Sequence, residues 1–175
     1  MQGGGPLIDI GAHALDLAVY LMGYPEVDYV CADMFNAIGT TGRNGFFGSW
    51  DPERYTVEDA LFGQIRFRTG AVMKLSTSFA LNMKEKDRRQ VTLYGDKKGA
   101  DLFPPAVYSG DDGPAWNQTY PFEPAEDLHT KEIHAFVAAC RGERDLLVTA
   151  EQGVYVQKLI AALYASAESK KPVFC

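Results

Sequence analysis

The architecture of this chain follows from residues 57–83, which read VEDALFGQIRFRTGAVMKLSTSFALNM. Two strand-like runs, Val57–Arg68 and Ala71–Met83, flank the turn Thr69-Gly70 and predict a hairpin. Apolar and polar side chains alternate along the second run. Its predicted apolar face comprises Met73, Leu75, Thr77, Phe79, Leu81 and Met83. The other face is polar, which predicts a sheet with one side packed on helices and the other side open.

Further strands are predicted on both sides of this hairpin. Val27 to Asn36 alternates with a period of two residues and precedes it. The later strands are predicted at Gln90–Tyr94, Ala100–Phe103, Ala106–Tyr108, Gln118–Phe122 and Pro172–Phe174. Between the first strand and the hairpin, Gly39 to Arg54 has no period and is rich in glycine and aromatic residues, among them Phe46, Phe47 and Trp50. We predict a long loop there, and long loops in compact domains are often functional.

Helices are predicted at both ends of the chain. The first runs from Pro6 to Met22, and two more run from Ala125 to Arg141 and from Thr149 to Ser169. Their expected core residues are Leu7, Ile10, Ala14, Leu17 and Leu21; then Ile133, Phe136, Val137 and Cys140; then Val156, Leu159, Ile160, Leu163 and Ala167. Strands grouped apart from helices predict the α+β class, with a large, mainly antiparallel, open-faced sheet and helices on one face. We expect one domain over residues 1–175.

Composition excludes several classes of function. The formal net charge of −6 leaves no basic surplus to neutralise phosphates, which argues against non-specific nucleic-acid binding. No apolar run approaches the roughly 18 residues of a membrane span. The three cysteines, Cys31, Cys140 and Cys175, form no CxxC pair. We therefore expect a reducing, cytoplasmic setting, with Cys31 and Cys140 as small core residues.

The clearest functional signal is a polar stripe on the first predicted helix. It consists of Asp9, His13, Asp16 and Tyr20, at spacings of four, three and four residues in an otherwise apolar segment. Such spacings place side chains on one face of a helix. A carboxylate one turn before an imidazole can orient it for proton transfer. Tyr20 is expected to pack, and Gly11, which weakens a helix by about 1 kcal/mol relative to alanine, predicts the close approach of another segment.

The two remaining histidines give a weaker signal. His129 and His134 lie among charged residues of the second predicted helix, and we expect a solvated face there. Asn82, Lys84 and Trp50 are further polar or aromatic side chains that could reach a substrate, although no spacing requires it.

The start of the chain resembles a known family. Residues 3–16 read GGGPLIDIGAHALD, which is similar to the opening of the C-terminal domain in the Gfo/Idh/MocA oxidoreductases, the family of glucose–fructose oxidoreductase and inositol dehydrogenase. Further agreement follows in order at Val57–Asp59, Phe67–Ala71, Tyr94–Gly99 and Ala165–Val173. The resemblance extends over nearly the whole chain.

This resemblance implies an NAD(P)-dependent oxidoreductase acting on a sugar, a polyol or a related hydroxyl compound. It implies that His13 exchanges the hydroxyl proton and that Asp9 binds the same part of the substrate or orients the imidazole. Asp16 is a candidate substrate-binding residue, and the alternative is that it caps the helix or pairs with a neighbouring strand. Members of the family begin with a Rossmann domain that carries G-x-G-x-x-G, and neither this pattern nor the family's Glu-Lys-Pro segment occurs here. We therefore expect a C-terminal half that binds neither NAD nor NADP alone and is inactive without its Rossmann domain.

Two alternatives remain open. Asp9, His13 and Asp16 form a carboxylate–histidine–carboxylate set, which can hold a divalent metal ion in a stand-alone enzyme. The chain can also be a non-catalytic assembly module. The expected partners are the Rossmann domain, a small sugar-like substrate and a second copy of the chain bound through the open sheet.

Overall fold

The computed structural model describes residues 3–42, 48–85, 87–110, 116–120 and 127–175. The chain divides into two compact units, one formed by Met1–Lys86 with Glu151–Cys175 and the other by Asp87–Ala150. Every strand pairing among the described residues is antiparallel, which confirms the α+β class. The sequence predicted one large sheet, and the described strands form two four-stranded sheets.

The elements follow the predicted order. They are a π-helical turn (Leu7–Gly11), α1 (Ala12–Leu21), β1 (Val27–Phe35), β2 (Ala60–Phe67), β3 (Val72–Ser78), β4 (Thr92–Tyr94), β5 (Lys98–Leu102), β6 (Pro105–Ser109), β7 (Trp116–Thr119), α2 (Leu128–Cys140), α3 (Ala150–Ser169) and β8 (Val173–Phe174). Two short 3₁₀ turns, Gly39–Thr41 and Pro52–Arg54, lie in the predicted loop. Phe46, Phe47 and Phe122 lie outside the described residues.

The first unit is built on a sheet with the strand order β3-β2-β1-β8. The helix that begins at Leu7 and helix α3 cover one face of this sheet. The buried cluster comprises Leu7, Leu15, Val19, Val30, Ala32, Leu61, Ile65, Phe67, Leu75, Val156, Leu159, Ile160, Leu163 and Ala167. All five core residues predicted for α3 belong to it. Helix and sheet approach closely at Gly63, where an added Cβ would lie 3.0 Å from Leu163 Cδ2.

The opposite face of this sheet is open, as predicted. Along β1, Val30 and Ala32 are buried against the helices, whereas the alternating residues Cys31 and Asp33 are exposed. Cys31 is therefore not a core residue, because the alternation of the strand directs it to the open face. Cys140, the last residue of α2, is also exposed, so the prediction that both cysteines are buried was wrong.

Strand β3 ends at Ser78, where the sequence predicted a strand that continues to Met83. The Ser78 hydroxyl donates to the Asp59 carbonyl oxygen over 2.8 Å and accepts from the Ala80 N–H over 2.9 Å. A side chain that binds neighbouring backbone in this way competes with strand pairing. The apolar residues that follow are about half exposed: Phe79, Leu81 and Met83.

The first helix buries Leu7 as predicted, but its other buried positions differ from the predicted ones. Its buried positions are Leu7, Gly11, Leu15 and Val19. Ile10 and Leu21, both predicted in the core, are about half exposed. The π-helical turn changes the angular positions of the residues around it, and Gly11 lets β3 approach on that side, so a uniform helical period gave the wrong face. Tyr20, which was expected to pack, is 47% exposed.

The second unit contains a sheet with the strand order β4-β5-β6-β7 and helix α2. Asp127 caps α2, because its carboxylate accepts from the backbone N–H groups of His129 and Thr130. The Thr130 hydroxyl bond to that carboxylate, followed by these backbone bonds, lowers the pKa of Asp127. His129 and His134 are exposed, as predicted. The predicted core face of α2 is also exposed: Ile133, Phe136, Val137 and Cys140.

Candidate active site

The polar stripe lies on the exposed side of the first helix. Asp9 belongs to the π-helical turn, and His13 and Asp16 belong to α1. Asp9 and His13 are exposed, whereas Asp16 is partly buried. No hydrogen bond joins Asp9 to His13 in the structure. The two side chains are therefore accessible to a molecule that approaches this helix.

Strand β3 holds the turn that carries Asp9 through a hydrogen bond. The Thr77 hydroxyl, buried in the sheet, donates to the carbonyl oxygen of Pro6 over 2.9 Å. An added Cβ at Gly11 would lie 3.1 Å from Thr77 Oγ1 and 3.2 Å from the Pro6 oxygen. The segment that approaches Gly11 closely is therefore β3. Single π-helical turns inside helices occur frequently at functional sites.

A buried carboxylate holds the start of the same helix. Glu58 is 7% exposed, and its Oε1 accepts from the backbone N–H of Leu7 over 3.2 Å and from the Tyr164 hydroxyl over 2.7 Å. A carboxylate at a helix N-terminus satisfies free N–H groups and interacts favourably with the helix dipole. Burial, and then the hydrogen bond and charge of Glu58, raises the pKa of Tyr164 well above its ordinary value.

The glycine run before the helix makes room for this carboxylate. An added Cβ at Gly5 would overlap the carboxyl group of Glu58 and would lie 2.6 Å from its backbone oxygen. An added Cβ at Gly4 would overlap the side chain of Ile8, whereas Gly3 has nothing within 4 Å. The glycines and Val57–Asp59 are separate motifs in the sequence. Neither Glu58 nor Tyr164 was predicted to be a site residue, although an acidic pair directly before an apolar strand is a usable signal.

The neighbouring Asp59 holds the long loop. It is 2% exposed, and its Oδ2 accepts from the N–H groups of Ile38 and Gly39 over 2.6 and 2.8 Å. The Trp50 indole donates to the Gly39 carbonyl over 2.6 Å. The Tyr55 hydroxyl donates to the backbone carbonyl oxygen of Glu58. Burial, followed by the charge of Asp59, raises the pKa of Tyr55. The described part of the long loop is thus attached to the residues directly before β2, which also bind the start of the first helix.

The C-terminal end of α1 meets a group of tyrosines. The Tyr24 ring packs edge-on against Tyr20 and Tyr155, with centroid separations of 6.4 and 5.5 Å. Burial, and then the charge of Asp16, raises the pKa of Tyr24. The Tyr24 hydroxyl is buried without a hydrogen-bond partner among the described residues. The charge of Asp16 on the polar stripe therefore also acts on the Tyr24 hydroxyl.

Metal binding has no geometric support at this stripe. In the part of the chain that the structure describes, which includes Asp9, His13 and Asp16, no three His, Cys, Asp or Glu side chains come together to hold an ion. In the same part of the chain, no helix combines the length and apolar character needed to cross a membrane.

Comparisons with known proteins agree with the sequence motifs. Residues 1–174 match the C-terminal alpha/beta domain of the Gfo/Idh/MocA oxidoreductase family. The chain is 45% identical, over 97% of its length and 48% of the relative, to D-glucoside 3-dehydrogenase of Escherichia coli K12.

Two solved structures share the fold. Aldose-aldose oxidoreductase of Caulobacter crescentus, complexed with glycerol, has a TM-score of 0.73 at 22% identity, over 99% of this chain and 48% of that chain. The WlbA dehydrogenase of Bordetella pertussis, in complex with NADH and UDP-GlcNAcA, has a TM-score of 0.64 at 20% identity, over 99% and 46%. The chain spans about half the length of each of these relatives.

Proposed function

The chain belongs to the Gfo/Idh/MocA oxidoreductase family, and from that premise we propose that it is the substrate-binding and proton-transfer part of an NAD(P)-dependent sugar dehydrogenase. The observation that carries the proposal is the exposed pair Asp9 and His13 on a helix whose first turn is fixed from two sides. The D-glucoside 3-dehydrogenase relative supports a sugar-like hydroxyl compound as substrate. Asp16, partly buried beside the pair, is proposed to bind the same substrate.

The described residues suit the proton-transfer part of an alcohol oxidation. The imidazole of His13 would accept the hydroxyl proton as the carbonyl bond forms, because histidine titrates near neutral pH and can act as a general base. Asp9 would orient the imidazole or bind an adjacent hydroxyl group. A bound nicotinamide would supply the hydride acceptor for the carbon that carries this hydroxyl group. The sequence has no G-x-G-x-x-G turn, so we propose that the nicotinamide is held by a Rossmann domain outside these 175 residues.

The proposal is tested by a chimera in which the N-terminal half of the Escherichia coli relative is joined to this chain. We expect the chimera to reduce NAD or NADP when it is supplied with a D-glucoside, as measured by nicotinamide absorbance. The 175-residue chain alone is expected to show no turnover. A folded chimera that binds nicotinamide but oxidises no member of a panel of glycosides and polyols would contradict the proposed function.

The open face of the first sheet is proposed as a contact with a second copy of the chain. It combines exposed polar side chains with exposed aromatic rings, and the Phe35 and Phe62 rings pack at 6.1 Å. At the edge formed by β8, the Tyr29 and Phe174 rings pack at 5.8 Å. An exposed apolar patch framed by polar residues is typical of a protein–protein interface.

Phe62→Asp is expected to convert a dimer or larger oligomer into a monomer. Phe62 lies on the open face of an interior strand and is 41% exposed, so a charge there disturbs the contact more than the core. Light scattering with size-exclusion chromatography measures the change. Tyr94→Asp, at a 91% exposed tyrosine of the other unit, is the matched control and should leave the oligomer intact. A monomeric unsubstituted chain would refute the proposed contact.

A further inference from the structure

We propose that Glu58 and Tyr164 are positioning residues, a buried pair that fixes the first turn of the site helix and thereby sets the place of Asp9 and His13. The inference rests on the proposed function, because it assigns these residues to the same site. Neither residue belongs to the polar stripe. Both act on the backbone of the turn, through the Leu7 N–H and the buried Glu58 carboxylate.

Segments that are distant in the sequence converge on the first turn of the site helix. Glu58 lies 51 residues from Leu7, and Tyr164 lies 106 residues from Glu58. Thr77 adds a third attachment through the Pro6 carbonyl. The turn is therefore joined to the start of β2, to β3 and to α3. A rotation or shift of the turn would break a hydrogen bond to at least one of these elements.

The burial of the Glu58 carboxylate carries a free-energy cost. Removing a charge from water is unfavourable, and replacing a buried polar pair by apolar residues of similar volume is often neutral or stabilising. Glu58 is nevertheless buried, with both of its described hydrogen bonds aimed at the start of the site helix or at the tyrosine that packs there. A buried pair of this kind fixes the position of the helix turn more than it stabilises the fold. Defined geometry matters for proton transfer, since misplacement by about 1 Å can lower a rate by about 10²-fold.

Glu58 and Asp59 link the site helix to the long loop. Glu58 and Asp59 are adjacent, and their carboxylates hold different segments: the first holds the Leu7 N–H, and the second holds the N–H groups of Ile38 and Gly39. Both residues lie directly before β2, which begins at Ala60. One short segment therefore places both the site helix and the described start of the loop.

The test compares Tyr164→Phe with Tyr155→Phe. Both tyrosines lie on α3 and donate one hydrogen bond, but Tyr155 donates to the Pro25 carbonyl, over 2.6 Å, away from the start of the site helix. In the chimera, Tyr164→Phe is expected to lower kcat by about tenfold or more and to change KM by less than about threefold. In the same protein, amide hydrogen exchange at Leu7 should become faster. Tyr155→Phe should alter neither kcat nor exchange at Leu7.

Substitutions at Glu58 provide a second measurement. Glu58→Gln keeps an oxygen that accepts both hydrogen bonds and should retain most of kcat, whereas Glu58→Ala should lose it as Tyr164→Phe does. Unchanged exchange at Leu7 and unchanged kcat in Tyr164→Phe would overturn the inference while leaving the proposed function intact. Faster exchange at Leu7 with an unchanged kcat would show that the pair holds the turn without serving catalysis, and would also overturn it. Failure of the proposed function is recognised separately, by a chimera in which His13→Ala has no effect.

Discussion

His13→Ala in the chimera is expected to lower kcat by about 10²- to 10⁴-fold, the usual contribution of a positioned general base. Nicotinamide affinity is expected to change by less than about twofold, because the cofactor is proposed to bind outside this chain. The reason lies in the position of His13, which is exposed on a helix whose first turn is fixed by Glu58 and Thr77. Steady-state turnover and nicotinamide titration by fluorescence measure the two quantities.

The chain offers a matched control for this substitution. His134 is an exposed histidine of helix α2 in the other compact unit, so His134→Ala removes the same chemical group from a different place. We expect its kcat to remain within about twofold of the unsubstituted chimera. Turnover that survives His13→Ala unchanged would refute the proton-transfer role. Equal losses of kcat in His13→Ala and His134→Ala would indicate a general effect on the fold of the chimera and not a role of His13 in proton transfer.

Elements with strong local patterns could be predicted from the sequence. The strand at Val27–Phe35, the buried stripe of α3 and the β2–β3 hairpin all appear where the periodicity places them, although β3 ends at Ser78 and not at Met83. Each of these patterns lies within one continuous segment of the sequence. Their apolar faces are also the ones that pack, because helix α3 and the sheet cover each other.

The buried face of the first helix could not be predicted in the same way. A uniform period of 3.6 residues favoured Ile10 and Leu21, but the structure buries Gly11 and Leu15 instead. The π-helical turn and the approach of Thr77 to Gly11 cause the difference, and both depend on β3. Helix α2 gives a second case: its sequence shows an apolar face but does not say what covers that face, and Ile133 is exposed.

In the candidate site too, the residues of one continuous segment could be predicted, whereas the contacts between distant residues could not. Asp9, His13 and Asp16 were selected from spacing and from the family motif, which are properties of one continuous segment. Their catalytic and binding roles remain proposals. The contacts that hold them in place join Glu58 to Leu7 and to Tyr164, residues far apart in the chain. A single sequence contains no local sign that these positions meet.

Gly5→Ala is expected to lower the free energy of unfolding by about 3 kcal/mol or more, the sum of overpacking and the loss of a buried hydrogen-bonded contact. An added Cβ would overlap the Glu58 carboxyl group and lie 2.6 Å from the Glu58 backbone oxygen. The side chain could move, but the backbone oxygen belongs to the segment that opens β2 and cannot move without disturbing the sheet. Urea denaturation of the 175-residue chain measures the loss.

Gly3→Ala is the matched control, since nothing lies within 4 Å of an added Cβ at Gly3. Replacing glycine by alanine without a clash reduces the entropy of the unfolded chain and is neutral or stabilising by up to about 1 kcal/mol. The two neighbouring substitutions are therefore expected to have opposite signs or very different sizes. In the chimera, Gly5→Ala should also lower kcat, because it displaces the carboxylate that holds the Leu7 N–H. Equal stabilities of the two variants would show that Glu58 does not pack against the glycine run, and the positioning of His13 would then need another explanation.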